Sequence, residues 1–223
     1  MALDTTLGSC SAAVGDERRV YAARFEERAA GQAERLIPMI DEVLQEAGLA
    51  FAALTRIGVT IGPGSFTGTR IGLSAARALG LVLDIPVIGV TTLDALAEQG
   101  PADSAFIVGF DARREQIYVQ MFDAGRTART EPLALSLDEA TRRLPNPGRP
   151  VVLMGSAAPL LAQALSRAQF TIARVEPALY PDAAGFVRTI AARGGHIPAT
   201  MPRPLYLRPA DAVADARTGG HAP

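Results

Sequence analysis

Short apolar runs that end at glycine, proline or acidic turns alternate along this chain with longer segments of helical period, and the same order of runs comes round twice. In the first round, Leu3-Asp4-Thr5-Thr6 reads as a strand ending in a carboxylate and two hydroxyls, and Leu7-Gly8 as a turn. Residues 10–14 then read as a second strand, Asp16-Glu17 as another turn and residues 20–25 as a third strand, giving an antiparallel meander whose first strand is short. Over residues 32–47, Leu36, Ile40, Val43, Leu44 and Ala47 keep the helical interval; Gly48 stops the helix, and Pro38 falls near its first turns, where it is tolerated. A buried strand over 56–61 passes through a glycine-rich turn into an apolar helix over 71–83, followed by a strand over 86–90 and a short helix over 92–98.

Gly100-Pro-Ala-Asp103 breaks this pattern and predicts a boundary between an N-terminal lobe, residues 1–102, and a C-terminal lobe, residues 103–211. The second round opens like the first: a strand over 105–110 ends at Asp111, residues 112–115 turn, and 116–122 return. A helix over 137–144, a strand over 151–154, a helix over 159–168, a strand over 171–175 and a helix over 182–193 complete an α/β set, so the expected fold class is α/β with a duplicated architecture. Pro204-Leu-Tyr-Leu-Arg-Pro209 predicts an extended segment docked on the body, and the small polar residues 212–223 a disordered tail.

The stretch Ile61-Gly-Pro-Gly-Ser-Phe-Thr-Gly-Thr-Arg-Ile-Gly72 sits at a strand-to-helix turn, where Ser65 or Thr67 can cap the helix and free N–H groups favour an anion. None of the named phosphate loops fits. There is no Gly-Lys pair, the third glycine comes one place late for a dinucleotide fingerprint, and position 63 is proline where a nucleophile elbow needs glycine before the serine's neighbour. A tight turn that lets the helix pack closely is the competing reading. Beyond it, Gly68, Gly72, Ala76 and Gly80 recur at intervals of four and draw a stripe of small side chains, while Ile71, Ala75, Leu79, Val82 and Leu83 fill much of the rest. Because each helical glycine costs about 1 kcal/mol relative to alanine, close packing is expected to compensate, either against the chain's own core or against a partner.

Composition narrows the function classes. Hydrophobic residues make up 48% of the 223 and charged residues 20%, enough for a sizeable core, and a net charge of −1 leaves no surplus for gripping nucleic acid unaided. Any contact with RNA is then local or supplied by a partner. The single cysteine, Cys10, lies in an apolar strand and reads as a small buried hydrophobe. With no charged leader before an apolar run and no apolar segment of membrane-spanning length, a soluble cytoplasmic protein is expected.

The only histidines are His196 and His221, in a loop and in the tail, so neither a metal site nor a serine-hydrolase triad is expected. Asp4 and Asp111, at strand ends before tight turns, are the better chemical suspects. In a two-lobed enzyme such carboxylates hold a metal-bound nucleotide between the lobes; alternatively each caps its own turn. Asp4, Thr5, Gly64, Ser65 and Asp111 are the candidate lining of a nucleotide cleft, with ATP or ADP bound weakly and no cofactor firmly implied.

Several stretches together resemble the bacterial TsaB (YeaZ) family: Leu3-Asp4-Thr5-Thr6, Ala33-Glu-Arg-Leu-Ile-Pro38, the glycine stretch 61–72 with Arg70, Asp84-Ile-Pro-Val-Ile-Gly-Val90, Asp111-Ala-Arg-Arg-Glu-Gln-Ile-Tyr118 and Tyr206-Leu-Arg208. The resemblance implies a two-lobed fold of the actin, sugar kinase and Hsp70 type. It also implies a role in forming N6-threonylcarbamoyladenosine in tRNAs that read codons starting with A, as a non-catalytic scaffold for the related subunit TsaD, joined by the ATPase TsaE. Gln32 stands where many members have histidine, in keeping with a partner that holds no metal. Pairing in the family uses the two helices near the amino terminus, which here implies an interface through Leu36, Ile40, Leu44, Gly72, Ala75, Ala76, Leu79 and Gly80, with TsaD when present and with a second copy otherwise. Contact with tRNA is then indirect, through the complex. The alternatives are an ATP-dependent phosphotransferase of the same fold and a protease acting on TsaD.

Overall fold

A computed structural model describes residues 1–192 and 200–208. The first lobe contains β1 (Ala2–Asp4), β2 (Ser9–Gly15), β3 (Val20–Glu27), α1 (Gln32–Glu46), β4 (Ile57–Thr60), α2 (Phe66–Leu83), β5 (Val87–Val90) and α3 (Thr92–Ala97). The second contains β6 (Phe106–Arg113), β7 (Gln116–Phe122), β8 (Leu133–Ser136), α4 (Leu137–Arg143), β9 (Val151–Met154), α5 (Ala158–Arg167), β10 (Ile172–Glu176) and α6 (Ala183–Ala192). The tail 212–223 and both histidines lie outside the described residues.

Each lobe is built on a five-stranded mixed sheet. The first runs β3-β2-β1-β4-β5 and the second β8-β7-β6-β9-β10, so the two share one strand order when matched element by element. In each, a hairpin pairs antiparallel with the central strand and two further strands run parallel to it. The repeated strand, aspartate, hairpin order is therefore a duplicated architecture in space, and the fold is the two-lobed actin, sugar kinase and Hsp70 type.

Strand β6 runs on through Asp111 to Arg113, where the sequence reading ended it at Asp111, and two further elements differ as well. Helix α2 begins at Phe66 rather than residue 71, because Ser65 is its N-cap: the Ser65 hydroxyl accepts from the Gly68 amide at 2.9 Å, and Gly68, expected in the turn, lies inside the helix. Strand β8 was not anticipated; its four residues run directly into the Ser136 capping box of α4, and so short a run merges with the helical pattern.

The last helices of the two units change places. Leu93, Leu96 and Ala97 of α3 pack on Phe106, Val108, Phe122 and Val152 of the second sheet. Phe186, Val187 and Ile190 of α6 return to cover Ala2, Ala13, Ile88 and Val90 of the first. Residues 200–208 then run extended along the first lobe, where the Leu205 amide donates to the Ile61 carbonyl at 2.7 Å, as the docked segment predicted from the prolines requires.

Candidate functional site

Between the lobes lies a cleft of about 830 Å³. Its first-lobe wall is the turn Thr6-Leu7-Gly8 and the loop Gly64–Thr67; its second-lobe wall is Phe110, Asp111, Arg113, Tyr118 and Ser156; residues 177–180, Tyr206 and Arg208 close the sides. The aspartates of β1 and β6 that the sequence order singles out meet different fates: of the two, only Asp111 lines the cleft.

Asp4 does not line the cleft. It is wholly buried: Oδ1 accepts from the hydroxyls of Thr6 and Thr60, each at 2.6 Å, and from the Thr6 amide at 3.2 Å, while Oδ2 faces the Ser9 hydroxyl at 3.4 Å. Burial pushes its carboxyl up to about 6 even though these hydrogen bonds pull the other way. Thr5 is also buried; its hydroxyl donates to the Gly68 carbonyl at 2.6 Å and accepts from the Gly72 amide at 3.0 Å, tying β1 to α2. Both expected cleft residues are thus part of the lobe's internal bracing. Asp111 does face the cleft, exposed, with Oδ1 accepting from the Arg113 amide at 2.7 Å and its own amide donating to Ser156 at 3.1 Å. Each carboxylate accepts from an amide of its own turn, Asp4 from Thr6 and Asp111 from Arg113, and Asp4 is held in addition by Thr60, 56 residues away.

Gly64 and Ser65 line the cleft, but the glycines of this loop are used up by close backbone packing. A Cβ on Gly64 would fall 2.5 Å from the Thr6 carbonyl oxygen, and one on Gly62, at φ +101°, would fall 2.7 Å from that of Leu205. The Ser65 amide, a natural phosphate donor, donates instead to the Thr6 carbonyl at 2.8 Å. All 22 basic residues are arginine, so no lysine is available for a phosphate. An enclosed Asp4, a self-capped Asp111 and a filled glycine turn do not fit a metal-bound triphosphate. Among the described residues no three His, Cys, Asp or Glu side chains converge.

What the cleft does carry is aromatic surface and arginine. Phe66, Phe110, Tyr118, Tyr180 and Tyr206 line it. The β6–β7 hairpin places Arg113, Arg114 and Glu115 at φ +62°, +52° and +58°, three consecutive non-glycine residues in the left-handed region at a cost of about 1 kcal/mol or more each. Arg208 donates to the carbonyls of Ala112 and Arg113 and holds that hairpin from outside. Of these residues Phe66, in the glycine stretch, and those of the Asp111–Tyr118 and Tyr206–Arg208 stretches carried a signal in the sequence; the aromatic lining as a whole comes from four separate segments and has no linear pattern.

A second concavity, about 470 Å³, lies between α1 and α2 and is lined by Ala33, Ile37, Phe66, Arg70, Ile71 and Ala75 among others. The expected interface residues need correction here. Ile40, Leu44, Gly72, Ala76 and Gly80 are buried in the chain's own core, because the small-residue stripe faces the first sheet: Cβ atoms added at Gly72 and Gly80 would meet Thr5 and Val87 at 2.7 and 2.4 Å; Leu36 is buried too, but lines the groove. Ala75 is half-buried at the groove and Leu79 is half-buried against the core. The outward positions of the same helices are Ile37, 53% exposed, Phe66, 44% exposed, and farther along Leu81 and Val82. Arg35, from the Ala33–Pro38 stretch, braces α1 to β3, with Nε 2.7 Å from Glu26 and both terminal nitrogens on Glu42. Gln32 donates to the Arg28 carbonyl at 2.7 Å.

The family model described as TsaD: tRNA N6-adenosine threonylcarbamoyltransferase matches residues 26–178. Escherichia coli TsaB, named a tRNA threonylcarbamoyladenosine biosynthesis protein, is 32% identical over 121 residues, 53% of this chain and 52% of that one. In structure, YeaZ from Pseudomonas aeruginosa superposes with a TM-score of 0.77 at 27% identity, over 92% of this chain and 98% of that one. The chain belongs to the TsaB (YeaZ) family. It spans about half the length of the TsaB relatives it matches, Bacillus subtilis TsaB included at 34% identity over 55% of this chain and 54% of that protein. Rv3421c of Mycobacterium tuberculosis aligns more fully, 35% identical over 95% of this chain and 92% of that one. Among the described residues of this TsaB-family chain no helix is long and apolar enough to cross a membrane.

Proposed function

We propose that this chain is a non-catalytic subunit in the formation of N6-threonylcarbamoyladenosine on tRNA, and that it acts by lending the groove between α1 and α2 to the related subunit TsaD. The single observation that carries this reading is the open groove lined by Ile37, Phe66, Ile71 and Ala75, beside a cleft that Asp4 does not reach and in which Asp111 accepts from its own turn. An apolar groove on a helix pair suits an apolar helical face of a partner. TsaE then joins the pair, tRNA is reached through the assembly, and a second copy of the chain occupies the groove when TsaD is absent.

Reconstituted modification of tRNA with TsaD, TsaE and the enzyme that supplies threonylcarbamoyl adenylate, with and without this chain, tests the role. Product is expected only when the chain is present. The surface is tested by Ile71→Arg and Ile37→Asp at partly or largely exposed positions, each of which should weaken TsaD binding at least about tenfold with the fold intact. Ala76→Arg, by contrast, would drive a charge into the core and report only on folding. Turnover of ATP by the isolated chain would support a phosphotransferase instead, and cleavage of TsaD a protease.

A further inference from the structure

The α1/α2 groove and the interlobe cleft share a wall: Phe66 and Thr67 line both. Tyr206 stacks on Phe66 with ring centroids 5.6 Å apart, the Arg70 guanidinium lies 3.6 Å over the Phe66 ring, and Arg70 Nε donates to the Tyr206 hydroxyl at 3.0 Å. Two residues farther on, Arg208 grips the Ala112 and Arg113 carbonyls in the second lobe. We infer that residues 200–208 are a strap coupling the groove to the β6–β7 hairpin, so that what occupies the groove sets the pose of Arg113 in the cleft. The groove's role as a pairing face gives this coupling its biological sense, and to that extent the inference rests on the proposed function; the coupling itself belongs to the single chain.

Three features make the strap a transmitter rather than a loose tail. It has little slack, since Tyr206 to Arg208 spans at most about 7 Å of extended chain and Pro202 and Pro204 stiffen what precedes it. It is anchored on the first lobe, by Arg77 at the Pro202 carbonyl and by the Leu205 amide at Ile61, so a displaced Tyr206 must move Arg208 relative to a fixed point. Its far end holds a strained segment, three consecutive left-handed residues to which Asp111 and Arg208 supply hydrogen bonds. A partner pressing on Phe66 or Tyr206 therefore shifts the hairpin, and by linkage anything that fixes the hairpin changes affinity at the groove.

Hydrogen exchange in the isolated chain, followed peptide by peptide, tests this without any ligand. Tyr206→Ala removes the stack at the groove end and is expected to speed exchange of residues 111–116 by about fivefold or more while leaving β9 unchanged. Leu160→Ser, at an exposed position of α5 in the second lobe, should leave the hairpin at its parental rate. Unaltered exchange at 111–116 in Tyr206→Ala would overturn the inference. If that variant loosens β9 as well, Arg70→Ala decides: it removes only a surface side chain at the groove, and faster exchange confined to 111–116 upholds the coupling while none refutes it. Failure of TsaD to bind would leave this result untouched, and a silent hairpin would leave the pairing face standing, so the two readings fail separately.

Discussion

Asp4 holds a charge where water does not reach, and the pH dependence of stability should record it. Folded, its carboxyl is pushed up to about 6 from an ordinary 3.8, so between these values the folded state binds more protons than the unfolded one. Stability from this group is then highest below pH 4 and falls as pH rises toward 6, by something of the order of 3 kcal/mol. Asp4→Asn keeps an acceptor for Thr6 and Thr60 and removes the charge; urea denaturation from pH 4 to 7 should lose this fall, and at pH 7.5 the variant should be at least as stable as the parent. A parental slope in Asp4→Asn would mean that the carboxylate is not the source. The neighbouring thiol is simpler. Burial, with Asp4 nearby, pushes Cys10 up to about 11, and its sulfur packs 3.9 Å from that of Met39. Native protein should resist a thiol reagent at pH 8 under conditions in which the urea-unfolded chain reacts with one equivalent. At the hairpin, Glu115→Gly removes the left-handed penalty of an exposed side chain, partly offset by glycine's entropy, and should raise stability by about 0.5–1 kcal/mol in the same denaturation experiment.

At the scale of elements, α2 organises the first lobe, and its glycines decide how closely it lies on β1. An added Cβ at Gly68 would sit 2.0 Å from the Thr5 carbonyl oxygen, a backbone atom that cannot turn away. Gly68→Ala is therefore expected to cost about 1–3 kcal/mol in spite of alanine's better helix propensity, whereas Ser74→Ala on the exposed face should gain a few tenths; chemical denaturation of both variants checks the contrast. The four-residue interval of small side chains was legible in the sequence, but it could not say which body the stripe pressed against, since a sheet of the same chain and a partner helix make the same demand. The amphipathic period of α1 had the same limit: Leu36, Ile40 and Leu44 mark an apolar face, and such a face covers the chain's own sheet before it can cover anything else. What pointed outward, Ile37 and Phe66, lay in stretches that carried the family resemblance but fell off the periodic pattern, so nothing marked them as surface positions. At the site, Asp4 and Asp111 were legible as strand-end carboxylates, while the hydroxyls that enclose Asp4 come from Ser9 and from Thr60, 56 residues away, a closure that only the sheet order creates.

The whole molecule is held together by an exchange that the linear order of elements hides. Cutting the chain at residue 102 separates the two sheets, yet α6, from the second half of the sequence, covers the inner face of the first, and α3, from the first half, covers the second. The exchange is fastened by polar contacts as well: the Ser11 hydroxyl accepts from the Ala183 amide at 3.0 Å, Thr189 donates to Glu98 at 2.7 Å, and Ile190 fills the space that a side chain at Gly58 would take. A lobe that unfolded alone would strip its partner's core, so the lobes should unfold as one cooperative unit. Phe186→Ala, which empties a fully buried position of α6, should cost about 3–5 kcal/mol and lower the protection of slowly exchanging amides in both sheets by a similar free energy, Val59 of β4 and Val108 of β6 alike. Loss of protection confined to the first sheet would show that the second keeps its own stability, and the exchange of helices would then be packing without cooperativity.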